Sequence, residues 1–245
     1  MMRRLQEADF PQVWDAGAER HALDRALLML HHALPEWSYA ELARLSIGRR
    51  DGLLLELRRR TFGAQLDFSI VCPRCNEILQ DEASVDSLLL CDPWAAQPER
   101  VQAKLDDLSI EFRLMDTHDL AAVTALDDEA ATRELAQRCL LRAHRDGEQV
   151  DLAALSDAQL GALAEAMDQA DPQASLEFAM TCPACSHQWT VLFDVVVFLW
   201  QEIVTRAKLL LRDVHDLARR YGWSEAEVLS LAPARRSYYL EEFDE

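Results

Sequence analysis

Phe68-Ser69-Ile70-Val71-Cys72-Pro73-Arg74-Cys75 reappears, more than a hundred residues later, as Phe178-Ala179-Met180-Thr181-Cys182-Pro183-Ala184-Cys185. In both copies a phenylalanine is followed by three residues and then by Cys-Pro-x-Cys. Each copy lies between two strand-like runs, 65–71 with 76–80 and 176–181 with 188–193. Alternating, β-rich runs around a short turn predict two β-hairpins. The two-residue cysteine spacing brings both sulfurs of one turn within reach of a single ion. Two such turns supply four thiolates, the ligand set of a tetrahedral structural zinc. The sequence thus predicts one Zn2+ per chain, held by Cys72, Cys75, Cys182 and Cys185. Such turns need a left-handed residue after the second cysteine. Asn76 tolerates that conformation; Ser186 is a poorer choice.

Zinc ribbons ordinarily place their cysteine pairs about 15–20 residues apart. The cost of closing a loop grows only logarithmically with length, so a folded insertion between the pairs is tolerable. Other readings of the cysteines stay open. A redox dithiol is one, although Cys-Pro-x-Cys in thioredoxin-like oxidants opens a helix, and neither copy here is followed by a helical pattern. A site without metal, or one shared between chains, is another. His187 lies close enough in sequence to replace a sulfur, but a solvent-facing role suits it better. Cys91 and Cys139 have no paired spacing and read as core residues. With four protein ligands no position is left for water, which disfavours Lewis-acid chemistry.

Outward from the hairpins the chain reads as mostly helical. Leu23, Leu27, Leu30 and Leu34 predict a helix over 17–34, ended by Pro35. Ser38-x-x-Glu41 is a capping box for a short second helix. A third fits 49–61, with Leu53, Leu54 and Leu57 inward and Gly63 as terminator. Residues 101–114 alternate around Asp106-Asp107 and predict a further hairpin. Helices are expected at about 117–126, 129–144 and 157–170. From Val195 a long helix runs to about Tyr221 and stops at Gly222. Ser224-x-x-Glu227 caps the next helix, and Pro233 suits the first turn of a terminal helix carrying Tyr238, Tyr239 and Phe243. The expected class is α+β, mostly helical: a split, zinc-ribbon-like pair of hairpins with a folded insertion and a long C-terminal helix. The segments are 1–63 (helical), 64–95 (first knuckle), 96–172 (insertion), 173–194 (second knuckle) and 195–245 (C-terminal helices).

Along the long helix Val196, Trp200, Ile203, Ala207, Leu210, Val214, Leu217 and Tyr221 alternate by four and three, a heptad seam. Part of that seam packs within the chain. The half beyond Leu210 is expected to serve a partner, so Ile203, Leu210, Val214, Leu217, Tyr221, Tyr238 and Tyr239 are the candidate partner-binding residues.

Half of the 245 residues are hydrophobic, enough for one large core or two small ones, and the formal net charge is −18. That charge repels a phosphate backbone, and only Arg74 and Trp189 beside the knuckles offer a nucleic-acid face. The arginine clusters at 49–50, 58–60, 219–220 and 235–236 read as solvated helix faces. No apolar leader follows Met1-Met2-Arg3-Arg4. The most apolar stretch, 191–200, is far too short to span a bilayer. A reducing cytoplasm, or a particle assembled there, is the expected location, with no membrane contact and no small-molecule substrate. The seven glycines form no phosphate-binding loop, and neither GxSxG nor HExxH occurs, so no catalytic residues are assigned and the chain reads as non-enzymatic.

The order of features is similar to a known family. Leu45-Ser46-Ile47-Gly48-Arg49-Arg50-Asp51-Gly52-Leu53-Leu54-Leu55-Glu56-Leu57-Arg58, then Thr61-Phe62-Gly63 and the first knuckle, resemble the baseplate hub proteins of T-even phages. The likeness is greater to their relatives in phage-like contractile injection clusters. Phe112-Arg113-Leu114 with Asp119-Leu120, the second knuckle, Tyr221-Gly222-Trp223-Ser224 and Ala234-Arg235-Arg236-Ser237-Tyr238-Tyr239-Leu240 resemble the later segments of that family. The resemblance covers about 20–240. It implies a structural or assembly component of a tail-like particle whose partners are other baseplate, hub or tape-measure proteins. The zinc assignment rests on the cysteines and not on the resemblance. A zinc-ribbon nucleic-acid-binding protein and a redox dithiol protein are the alternatives.

Overall fold

The computed structural model describes residues 1–105, 107–151 and 155–242. It is α+β, with helices dominating and three small antiparallel sheets. Four helices open the chain: α1 (Asp9–Gly17), α2 (Ala22–Ala33), α3 (Tyr39–Ala43) and α4 (Ile47–Phe62). The expected helix over 17–34 starts later, because the chain breaks between Gly17 and Ala22. The break is held by side chains: the His21 ring accepts from the Leu23 amide at 3.3 Å, and the Arg25 guanidinium donates to the carbonyls of Gly17 and Ala18 at 2.9 and 2.7 Å. Those bonds satisfy carbonyls that the end of α1 leaves without helical partners. The capping box at Ser38 and Glu41 forms as expected. Gly63 ends α4 at φ +100°, a conformation that strains any side chain.

The first hairpin follows, β1 (Gln65–Val71) and β2 (Ile78–Ser84), then a single turn α5 (Val85–Leu88). The insertion contains β3 (Val101–Leu105), β4 (Leu108–Phe112), α6 (Thr117–Val123), α7 (Asp128–Cys139), β5 (Leu140–Arg145), β6 (Glu148–Gln149) and α8 (Asp157–Ala170). Its four strands are ordered β3-β4-β5-β6. The helix expected over 129–144 therefore ends at Cys139. Two things end it. Asp146 and Gly147 adopt φ +51° and +86°, the left-handed pair that a tight hairpin turn demands. Pairing of Leu140 with Phe112 and of Ala143 with Ile110 buries both incoming side chains. Of the expected Asp106-Asp107 turn, Asp106 lies outside the described residues, as does Phe243 of the terminal helix.

A 3-10 turn, Pro172–Ala174, leads to the second hairpin, β7 (Glu177–Thr181) and β8 (Gln188–Leu192). The chain closes with α9 (Val195–Tyr221), α10 (Glu225–Ser230) and α11 (Pro233–Glu241). Gly222 stops α9 in the left-handed conformation at φ +71°.

Two hydrophobic clusters result. One joins α1, α2, α4, Leu66 at the root of β1 and the first half of α9. The other lies within the insertion, around Leu108, Phe112, Cys139, Leu163 and Met167. They meet at the start of α4, where the Ile47 amide donates to the Met115 carbonyl at 2.9 Å and the Gly48 amide to Asp171 Oδ2 at 2.9 Å. A Cβ at Gly48 would lie 1.9 Å from Asp171 Oδ1 and 3.0 Å from the Ala174 nitrogen. Burial raises the Asp171 carboxyl, against the stabilising bonds from Gly48 and Ser46, so this side chain is poorly placed to lose a donor. Gly48→Ala should therefore destabilise the fold by roughly 2–3 kcal/mol through overpacking and a lost bond. Gly161, inside α8 with open space at its Cβ, should gain roughly 0.5–1 kcal/mol on the same change. Urea unfolding of the two variants side by side checks the pair; equal effects would discount the close approach.

The arginine clusters are only partly solvated. Arg50, Arg58 and Arg236 are buried. Arg50 pairs with Asp51 at 2.7 Å, Arg58 with Glu202 at 2.8 and 3.1 Å, and Arg236 with Glu7 and Asp213. The pairs differ: Arg235 is exposed beside buried Arg236, Arg49 donates to the Pro93 carbonyl at 3.1 Å, and Arg219 and Arg220 are both exposed.

Candidate metal centre

Each Cys-Pro-x-Cys turn is closed by the same two backbone bonds. The Cys72 amide donates to the Glu77 carbonyl at 2.8 Å and the Asn76 amide to the Cys72 carbonyl at 3.0 Å. The Cys182 amide donates to the His187 carbonyl and the Ser186 amide to the Cys182 carbonyl, both at 2.9 Å. Asn76 and Ser186 take φ +61° and +57°. The strained serine copies the asparagine because the turn, not the side chain, sets the conformation.

The turns face each other. Cys72 Sγ lies 3.7 Å from Cys185 Sγ, and Cys75 Sγ 3.5 Å from Cys182 Sγ. All four sulfurs fall within 4.8 Å of one another. A tetrahedron with Zn–S bonds of about 2.3 Å has sulfurs about 3.8 Å apart, so the cluster has the dimensions of a four-thiolate site. First cysteine meets second and second meets first, the pattern of a local two-fold axis. Phe68 and Phe178, equivalent in the two copies, stack with centroids 5.1 Å apart and rings 15° from parallel. Phe178 packs edge-on against Phe193, and Phe193 against Phe198 of α9, so an aromatic row anchors the hairpins to the long helix.

Cys72 and Cys182 are buried, Cys185 is half-buried and Cys75 exposed. Burial opposes a Cys72 thiolate, but the amides of Cys75 and Arg74 and the adjacent thiols outweigh it and bring the thiol down to about 7. Cys75 moves the other way. The Glu77 amide favours its thiolate, yet Cys185, burial, Cys182 and Cys72 together push it up to about 12. One charge is easily accommodated among these sulfurs and a second is resisted; only a cation would hold all four ionised. His187 stacks on Trp189 at 5.6 Å, away from the sulfur cluster. Of the two unpaired cysteines, Cys139 is buried as expected. Cys91 is exposed, in the loop after α5, and is not a core residue.

The expected docking seam is largely internal. Ile203, Leu210 and Leu217 have no solvent exposure, and the first two belong to the N-terminal core. Beyond Leu210 the chain turns back after Gly222 and α10 and α11 pack against α9, so burial along the seam is uneven there. Val214 and Tyr239 are half-buried, and Tyr221 and Tyr238 exposed. Tyr221, Trp223 and Tyr239 form a ring cluster with centroids 4.7 to 5.8 Å apart, with Tyr238 at its outer side.

Two ionic networks have no counterpart in the sequence reading. Asp119, buried, receives Arg113 through both carboxylate oxygens and Arg138 at 3.0 Å. Glu7 receives Arg236 and Arg206. The partners are separated by up to 229 residues, so no local spacing announces them. Among the described residues no helix is long and apolar enough to cross a membrane.

Comparison with curated proteins and with solved structures yields no match. Comparison with protein families yields one: the model described as T4 bacteriophage base plate protein matches residues 34–200. The matched span begins at the end of α2, includes both cysteine hairpins and everything between them, and ends in α9. It covers well over half of the chain, which therefore belongs to the T4 bacteriophage base plate protein family.

Proposed function

We propose that this baseplate-family chain is a non-enzymatic structural or assembly component of a baseplate hub, in a phage-like contractile tail, and that it acts by binding other hub or tape-measure proteins. One zinc ion per chain, held by Cys72, Cys75, Cys182 and Cys185, staples its two hairpins together. The observation that carries the reading is the span of the family match, 34–200, which takes in both hairpins and the insertion together. The hub assignment is supported by the resemblance of 45–63 and of the segments after the second knuckle. Tetrahedral four-sulfur sets suit zinc or iron; a redox-inert ion fits a site whose role is to hold two hairpins in register. The insertion, 96–172, has its own apolar cluster and behaves in this reading as a compact subdomain on the metal scaffold.

Elemental analysis of the purified chain should give one zinc and no iron per chain, and tail proteins should co-purify with it from its native host. A Cys72–Cys75 disulfide in freshly prepared protein, or no metal, would remove the zinc staple. Trypsin should leave the insertion as a large fragment; small peptides from it with both flanks intact would show that it is not a subdomain.

A further inference from the structure

Beside the paired hairpins lies an open apolar groove. Its floor is formed by Phe68, Phe178, Phe193 and Phe198, and its rim by Leu192 and Val197, which are 64% and 42% exposed. The volume is about 230 Å³, below the roughly 300–1,000 Å³ typical of small-molecule sites. It has the scale of a pocket for one anchoring side chain. Large apolar residues left open together mark interaction surfaces more often than scattered ones do.

The groove continues onto the β1–β2 hairpin, where Phe68 and Ser69 line both it and an adjoining acidic hollow. There Asp67 stands directly across the strands from Glu82, and Asp81 across from Phe68. Like charges directly opposite one another destabilise a strand pair. Among the described residues none of these three carboxylates makes an ion pair. Arg58, whose guanidinium lies 6.0 Å from the Phe198 ring, is already held by both oxygens of Glu202. Because side chains alternate faces along a strand, Asp81 shares the Phe68 face beside the apolar slot, while the repulsive Asp67–Glu82 pair stands on the opposite face of the same hairpin.

We infer that the groove and the carboxylate beside it dock a basic amphipathic segment of another tail protein, with one apolar side chain seated on the phenylalanine row and flanking Lys or Arg residues answering Asp81 on the same face and, at longer range, Asp67 and Glu82. Charge selects this occupant. A second copy brings the same net charge of −18 and the same acidic face, and a nucleic acid brings phosphates; both are repelled. The inference rests on the baseplate reading for the source of the partner. Because the carboxylates are exposed, binding weakens with salt, as charges beyond about 8 Å are screened at 0.15 M.

The test places a photoreactive benzoylphenylalanine at Leu192 in the full chain during particle assembly, with Leu126, exposed on the insertion, as the comparison site. The expected result is crosslinking from Leu192 to a tail protein, at an apolar residue with Lys or Arg within a few positions. Asp81→Lys should lower that yield at least tenfold at unchanged circular dichroism and zinc content; Asp81→Asn, a milder change, should lower it less. Normal co-purification of tail proteins with a silent Leu192, or with crosslinks only to a second copy of the chain, overturns the inference alone. An undiminished yield in the lysine variant does the same. If no tail protein accompanies even the unmodified chain, the baseplate reading falls and this inference with it.

Discussion

Replacing Cys182 by serine is expected to abolish stoichiometric metal binding and to loosen both hairpins at once, although the cysteines that meet across the cluster are 107 and 113 residues apart in sequence. Each hairpin has only two strands, and an isolated two-stranded hairpin is marginal in water. What holds the pair is the Phe68–Phe178 stack on one side and the sulfur cluster on the other. Metal binding to a site that the unfolded chain lacks is folding free energy. An ion present at a thousandfold its Kd contributes about 4 kcal/mol. For a chain of this length that is roughly 8–16 °C in melting temperature. A chelator should reproduce the effect in the parent protein and add little in the variant. Hydrogen exchange provides the local readout: amides of 65–84 should lose protection together with those of 177–192. Protection lost only in the second hairpin, or a variant that retains one metal per chain, would refute a shared site.

The duplicated knuckle was legible because a Cys-Pro-x-Cys turn carries its residues and spacing locally. Both turns and the ends of the strands entering them follow from eight residues read twice; the return strands, and the left-handed residue that Asn76 suits better than Ser186, come from the residues just beyond. Capping boxes at Ser38 and Ser224 and the terminator Gly222 were legible for the same reason. Local sequence does not carry tertiary choices. The segment 140–145 has helical composition, but an open edge of β4 and the Asp146-Gly147 turn draw it into a sheet; that dipeptide was the available signal. The α9 seam announces an apolar face without saying who covers it. Leu217 is buried within the chain, and periodicity alone does not distinguish that from burial under a partner's helix. Arg50, Arg58 and Arg236 show the same limit for charge. Their carboxylate partners lie one residue away for Arg50 but on other elements for Arg58 and Arg236, so a doublet on a helix reads as solvated until the fold brings an acid to it.

Arg236→Met is the second large effect. Arg236 is 3% exposed and joins three elements: its Nε donates to Asp213 Oδ2 of α9 at 2.9 Å, and its two Nη groups donate to Glu7 at 2.7 and 2.9 Å from within α11. Removing one partner of a buried ion pair costs about 3–5 kcal/mol, because the other charge stays behind. Glu7 keeps Arg206 and some solvent, so the low end, about 3 kcal/mol, applies, or roughly 6–12 °C. The loss should be greatest at 1–8 and 233–241, which the network joins. The pH dependence separates an ion pair from lost packing. Burial pushes the Glu7 carboxyl up, but Arg236 and then Arg206 outweigh it and hold it below its ordinary value. A depressed carboxylate contributes stability that is complete above its unfolded pKa of about 4.3 and disappears as the pH falls through the lower folded value. The parent protein should therefore exceed the variant by its full margin at pH 7, and the margin should shrink below about pH 4. Arg236→Lys should recover only part of it, since an ammonium cannot present the two-pronged fork that Glu7 accepts. A margin independent of pH, with Lys and Met equally damaging, would mean that Arg236 acts through its packed stem and that the charge network contributes nothing to holding α11 in place.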